Sequence, residues 1–185
     1  MTPTAPLPRK LSPEEIAAQR LQKGSISGAT RHPIIGLLDN IRSLYNVGSM
    51  FRTSDGAFIQ RLFLCGYTPR PPRREIEKTA LGATETIPWE YFHVPQDGIA
   101  AARALGSKIC VLEQTTRSVP YYTVQKRDFP ICLVVGNEIT GISPEVVAAA
   151  DMAIQIPMFG TKQSLNAAVA YGIAVFDLVR IWNDG

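Results

Sequence analysis

From His32 onward, short apolar runs alternate with longer stretches of helical periodicity. The strand-like runs are Ile34–Leu38, Leu62–Cys65, Ile109–Leu112, Ile131–Val135 and Ala153–Ile156. Each is four or five residues long and bounded by Gly, Pro or charge, the pattern of a strand buried on both faces. Between them the spacing predicts helices over Val47–Phe58, Gln96–Leu105, Pro144–Ala150 and Gln163–Trp182. Ser143–Pro144 reads as a cap followed by a first-turn proline. This alternation predicts an α/β domain with a largely parallel sheet and helices on both faces. No internal repeat and no second domain is visible.

Two segments break the rhythm. The first ten residues are Pro-rich, and Ser12-Pro13-Glu14-Glu15 carries a capping-box signature. A helix is predicted from there to about Lys23, stopping at Gly24, and it is short and weakly apolar enough to need a larger body to dock on. The chain therefore divides into an arm, residues 1–31, and a domain, residues 32–185. The second segment, Gly66 to Pro88, holds Pro69, Pro71 and Pro72 among Arg70, Arg73, Arg74 and Lys78, with a short helix predicted over Ile76–Leu81. Arginines on a long loop suit phosphate contacts. The plainer alternative is a solvated loop whose arginines pair with Glu75 and Glu77.

Composition narrows the class. With 185 residues, 45% hydrophobic and 19% charged, the chain is too apolar to be disordered and long enough for one unaided core. The longest apolar stretch, Ala167–Phe176, is half a membrane span, so no transmembrane helix is expected. The N-terminal MTPTAPLPRK lacks the apolar core of a signal peptide, and a cytoplasmic protein follows. Cys65, Cys110 and Cys132 each sit in an apolar run and read as buried free thiols. With two histidines, His32 and His93, and no C-x-x-C, no metal site is expected. The net charge of +3 is unevenly placed. Arg9, Lys10, Arg20, Lys23 and Arg31 face only Glu14 and Glu15 in the arm, leaving 14 basic and 14 acidic side chains beyond it. Such an arm can meet an anionic partner or can be simply solvated.

The familiar nucleotide signatures are missing: there is no G-x-G-x-x-G, no G-x-x-x-x-G-K-[ST] and no G-x-S-x-G. Three polar clusters stand out instead, each at a strand end or a helix start. The first runs from Asp39 to Arg52, with Asn46 as a helix cap and Arg52 sharing a face with Ser49 and Asp55. The second, Gly136 to Ser143, follows Ile131–Val135 directly. It places glycines and Glu138 at a parallel strand's C-terminal end, where α/β folds bind ligands. The third runs from Ile156 to Asn166 and leads into the apolar last helix. Taken singly, each reads equally well as an ordinary cap or turn.

In this order and spacing the clusters resemble the SpoU (TrmH-like) family of RNA ribose 2′-O-methyltransferases, in the SPOUT superfamily. Asn46-x-Gly48-x-x-x-Arg52 resembles its first motif, Val135-Gly-Asn-Glu138 with Gly141 its second, and Ile156-Pro-Met158 with Ser164-Leu-Asn166 its third. The likeness covers roughly residues 33–182. It implies an α/β fold whose C-terminal segment forms a deep trefoil knot, which general rules of chain topology would not have suggested. It implies S-adenosylmethionine held by Leu112, Gly136, Asn137, Ile156, Met158, Ser164 and Leu165. Methyl transfer to a tRNA or rRNA 2′-hydroxyl would then rest on Arg52, Asn46, Glu138, Ser164 and Asn166. Homodimers are also implied, and the small residues Ala167, Ala168 and Ala170 of the last helix would permit close packing in the knot or against a partner subunit. RNA contacts would come from Arg9, Lys10, Arg70, Arg73 and Arg74. The alternative is a catalytically silent homologue that binds S-adenosylmethionine and RNA; a generic small-molecule enzyme lacks a phosphate loop to support it.

Overall fold

The computed structural model describes residues 8–21, 26 and 28–184. It divides into two units, Met1–Thr30 and Arg31–Gly185. In the first, helix α1 (Pro13–Ala18) is closed by a reciprocal capping box. The Ser12 hydroxyl accepts from the Glu15 amide at 3.2 Å, and the Glu15 carboxylate accepts from the Ser12 amide at 2.7 Å. The helix ends at Ala18 rather than near Lys23; it buries no residue, so its cap has no apolar packing to extend it. Lys23 and Gly24 lie outside the described residues.

The second unit is built on β1 (His32–Asp39), whose residues from Ile34 to Asp39 are all buried. A strand inaccessible on both faces must be apolar at successive positions, and Ile34, Ile35, Leu37 and Leu38 are fully covered. The remaining strands are β2 (Ile59–Cys65), β3 (Trp89–Phe92), β4 (Lys108–Leu112), β5 (Val119–Pro120), β6 (Ile131–Val135) and β7 (Met152–Gln155). All pairings are parallel, and the order is β3-β2-β1-β6-β4-β7-β5. Strand alternation sends side chains to two cores. Ile34, Leu38, Ile131 and Leu133 pack beneath α2 (Leu44–Gly56), α3 (Arg74–Ala80) and α6 (Ala167–Asp184). Ile35, Leu37, Cys132 and Val134 pack beneath α4 (Pro95–Ala104) and α5 (Pro144–Ala148). Helices thus cover both faces, and every strand points its C-terminal end at one edge.

Where elements depart from the sequence expectation, local chemistry explains it. The aromatic strand β3 is half-buried or exposed throughout, so no continuous apolar run betrays it. The dipeptide β5 is too short to show a pattern. Helix α2 begins three residues earlier than predicted because Ser43, not Asn46, is its cap: the Ser43 hydroxyl accepts from the Asn46 amide at 3.3 Å. Strand β7 ends at Gln155, releasing Ile156, and α6 starts at Ala167 rather than Gln163, leaving residues 156–166 as an irregular connection. The three cysteines are free and buried; burial pushes the Cys65 and Cys110 thiols up to about 12. Among the described residues no group of acids, cysteines and histidines could hold a metal, and no helix is long and apolar enough to cross a membrane.

Candidate active site

The three clusters meet at the C-terminal edge of β1, β6 and β7. The turn after β6 brings Glu138 across to the start of α2. There its carboxylate accepts from the Arg42 amide at 2.8 Å, the Ser43 amide at 3.0 Å and the Asn46 side-chain amide at 2.7 Å. A carboxylate only accepts, so Asn46 must turn its NH2 toward Glu138 and its oxygen outward. That oxygen accepts from the Asn166 amide at 3.1 Å. The Asn166 oxygen is then left to cap α6, taking the Ala168 and Val169 amides at 2.9 and 3.3 Å. One relay of donors and acceptors therefore ties the second cluster to the first and the first to the third. Desolvation raises the Glu138 pKa, but the hydrogen bonds from Arg42, Ser43 and Asn46 together outweigh it and hold the carboxyl below its ordinary value.

The turn itself is braced from within. Asn137 exchanges backbone hydrogen bonds with Gly141 at 3.1 and 3.0 Å. Its side-chain oxygen accepts from Ile139 and Thr140, and its NH2 donates to the Asn40 carbonyl at 2.9 Å and the Tyr67 hydroxyl at 2.6 Å. Its side-chain capacity is spent inside the fold and its N–H is taken by Gly141, so only the second lone pair of its carbonyl is left for a ligand. Gly136 lies so close to the returning strand that a Cβ there would meet the Gly141 carbonyl oxygen at 2.6 Å.

Beside the relay lies a cavity of about 440 Å³, within the range of roughly 300–1,000 Å³ usual for small-molecule sites. Leu112, Gly136, Asn137, Ile156, Met158, Ser164 and Leu165 all line it, as do Glu138 and Asn166. Its walls combine apolar side chains with backbone amides and carbonyls. Among the described residues its charged lining consists of Glu113 and Glu138, without lysine or arginine. A pyrophosphate-bearing dinucleotide would meet two carboxylates and no compensating cation there. An apolar-bodied ligand carrying positive charge suits the same walls.

A family model described as the SpoU rRNA Methylase family matches residues 33–176. The chain belongs to the SpoU family. Over 148 residues this SpoU chain is 32% identical to the tRNA (guanosine(18)-2′-O)-methyltransferase of Aquifex aeolicus, covering 80% of this chain and 69% of that one. It is 29% identical over 150 residues to the 23S rRNA (guanosine-2′-O-)-methyltransferase RlmB of Pectobacterium atrosepticum, covering 80% and 60%. Among solved structures it resembles the AdoMet-bound rRNA methyltransferase from Sinorhizobium meliloti, with TM-score 0.76, 30% identity and coverage of 82% and 57%. The chain thus spans little more than half of that last protein and under two thirds of RlmB.

Not every motif residue of the SpoU chain joins the relay. Arg52 lies six positions beyond Asn46, about 9 Å along α2, exposed and with no side-chain partner among the described residues. Ser164 is exposed on the cavity wall, without a side-chain hydrogen bond among the described residues. Arg70, Arg73 and Arg74 are exposed and none pairs with Glu75 or Glu77; Glu77 instead accepts from the Thr84 hydroxyl. Arg9 is engaged with Glu15 at 2.6 Å, and Arg31 belongs by its bonds to the Ile59 and Thr86 carbonyls to the larger unit. Sequence reasoning missed Glu113, whose carboxylate accepts from the Ile142 amide at 3.1 Å and so holds the cavity turn from the other side. Its signal was available: an acid directly after the buried run Ile109–Leu112. It also missed Tyr67, which nothing in the sequence joined to Asn137.

Proposed function

We propose that this chain transfers a methyl group from S-adenosylmethionine to a ribose 2′-hydroxyl of RNA. The observation that carries this reading is the Glu138–Asn46–Asn166 relay beside a cavity whose charged lining, among the described residues, is acidic. The names of the relatives, acting on tRNA or 23S rRNA guanosines, support the substrate class. When bound, S-adenosylmethionine supplies an electrophilic methyl group on a sulfonium cation.

Leu112, Ile156, Met158 and Leu165 would enclose its apolar body, and the backbone around Gly136 and Asn137 would meet its polar edges. Glu113 and Glu138 complement its positive charge. Arg52 would anchor the phosphate next to the target ribose and polarise the 2′-oxygen. A free guanidinium has a pKa above about 12, so it holds the oxygen rather than taking the proton, which leaves to phosphate or water. Asn46 and Asn166, fixed by Glu138, would hold the ribose, and Ser164 the substrate side of the cavity. Arg70, Arg73 and Arg74, with Arg9 and Lys10 on an arm of residues 1–31, would contact the RNA backbone outside it. Nothing in this site favours a catalytically silent homologue.

Two architectural proposals accompany this. The connection 156–166, joined to residue 114 by the Gln114 side-chain amide on the Gln163 carbonyl at 2.6 Å, passes beside the loop following β4; we read it as the crossing of a deep trefoil knot. Helix α6 exposes Val169 and Phe176, with half-buried Ile173 between them, an apolar stripe suited to a homodimer. The protein would act in the cytoplasm, where such RNAs are met.

The test is calorimetric titration with S-adenosylmethionine, followed by transfer of labelled methyl groups to unmodified bulk tRNA and rRNA, with 2′-O-methyl positions mapped. Binding with transfer to a ribose supports the reading. Binding without transfer would leave the silent homologue, and no binding would overturn the cofactor assignment.

A further inference from the structure

A second cavity, about 380 Å³, lies outside the S-adenosylmethionine site and is formed by Gly66 to Arg73 with Tyr91. Its base is rigid. The Thr68 hydroxyl accepts from the Ile41 amide and donates to the Leu38 carbonyl, both at 3.0 Å, pinning the loop to β1. The Tyr91 hydroxyl donates to the Gly66 carbonyl at 2.8 Å, fixing that ring upright on β3. The Arg70 guanidinium carbon sits over it, 4.1 Å from the ring centre. Tyr67 lines the same cavity, 62% exposed, with its hydroxyl held by Asn137. An aromatic ring tethered at its polar end and bare on its face is costly to leave in water and loses little freedom on binding. Arg73 is exposed and has no carboxylate partner among the described residues.

Resting on the methyltransferase reading, we propose that this cavity is a nucleotide subsite for an unpaired residue of the substrate RNA next to the methylated one. Its base stacks on Tyr67, in the cavity that the Arg70–Tyr91 pair also lines, and its phosphate is met by Arg73. Stacking planes and an arginine with no acid partner are the ingredients of single-strand recognition. The bond between Tyr67 and Asn137 places the stacked base one hydrogen bond from the turn that carries Glu138, so seating the neighbour positions the target ribose.

The full-length chain would be compared with Tyr67→Phe, Tyr67→Leu and Arg73→Ala, using unmodified bulk tRNA and rRNA as binding probes across a salt series. S-adenosylmethionine affinity and wild-type methyl transfer would be measured alongside. Tyr67→Phe is expected to bind RNA within about twofold of wild type and Tyr67→Leu about tenfold more weakly, a loss typical of one base–aromatic stack, with the salt slope unchanged. Arg73→Ala is expected to lower that slope by about 0.7, one phosphate's worth. Equal RNA affinity for Phe and Leu at position 67 would overturn the subsite. A fall in S-adenosylmethionine affinity for Leu but not Phe would do the same, since it would assign the ring to the fold. Failure of the underlying reading looks different: the wild-type chain itself would then transfer no methyl group.

Discussion

The Glu138 carboxylate takes three hydrogen bonds from groups that can only donate to it, and this decides what replacing it does. Glutamine would direct its own NH2 at one of those donors, so one bond becomes a repulsion and the orientation of Asn46 is no longer dictated. Glu138→Gln is expected to lower methyl transfer at least tenfold and stability by about 1 kcal/mol, discounted for the exposure of the group. The sign of the pH dependence follows from the depressed pKa. Its contribution is complete above the ordinary value of 4.5 and disappears as pH falls through the lower folded value. Denaturant unfolding of both proteins across pH should therefore show a constant gap above about pH 5 that closes in acid. Arg52 behaves oppositely. Exposed and unpartnered, it contributes little to the fold, so Arg52→Ala should shift stability by no more than about 0.5 kcal/mol. Turnover should fall a hundredfold or more while S-adenosylmethionine binds as before. Near-normal turnover would remove Arg52 from the reaction.

At the scale of elements, the turn from Gly136 to Ile142 is the part most sensitive to added bulk. A Cβ at Gly136 would meet the Gly141 carbonyl carbon and oxygen at 2.5 and 2.6 Å, and both belong to backbone that cannot rotate away. Gly136→Ala is expected to cost about 1–3 kcal/mol as overpacking. That is several degrees in thermal unfolding for a chain this size. Because the same backbone lines the cavity, S-adenosylmethionine affinity should fall at least tenfold by calorimetry. The sequence made this turn visible because it directly follows Ile131–Val135, a strand whose boundaries were legible to the residue. Wherever both strand faces are buried, as in β1, β4 and β6, apolar runs announced the element. They could not announce β3 or β5, whose pairing comes from neighbours rather than from their own composition. Motif spacing singled out Asn46, Glu138 and Asn166, which the fold joins by hydrogen bonds, but not that Ser43 takes over the capping of α2. That substitution is what frees the Asn46 side chain for the relay. Tyr67 and Glu113 act through contacts 70 and 29 positions away in sequence, which no local pattern records.

For the whole molecule, two surfaces remain to be explained by what meets them. The stripe of Val169, Ile173 and Phe176 on α6 is the one the proposed homodimer would cover. Phe176→Asp should convert a dimer to a monomer in sedimentation, and a wild-type chain that already sediments as a monomer would dismiss the interface. The arm raises a different question, because Arg9 is already engaged by Glu15 and so offers less free charge than its sequence suggests. Residues 1–30 hold four basic and two acidic side chains, a net of two positive charges, while Arg31 is bonded into the larger unit. Every residue given for the two cores and for the cavity lies beyond residue 31, so deletion of residues 1–30, sparing Arg31, removes none of them. The truncated protein is therefore expected to unfold at the same temperature and to bind S-adenosylmethionine unchanged. If the arm guides RNA, its loss should weaken binding and lower the salt slope by roughly 0.7 for each phosphate released, or about 1.4 for two. An unchanged slope in filter binding would make the arm a bystander and leave Arg70, Arg73 and Arg74 as the RNA-facing charge.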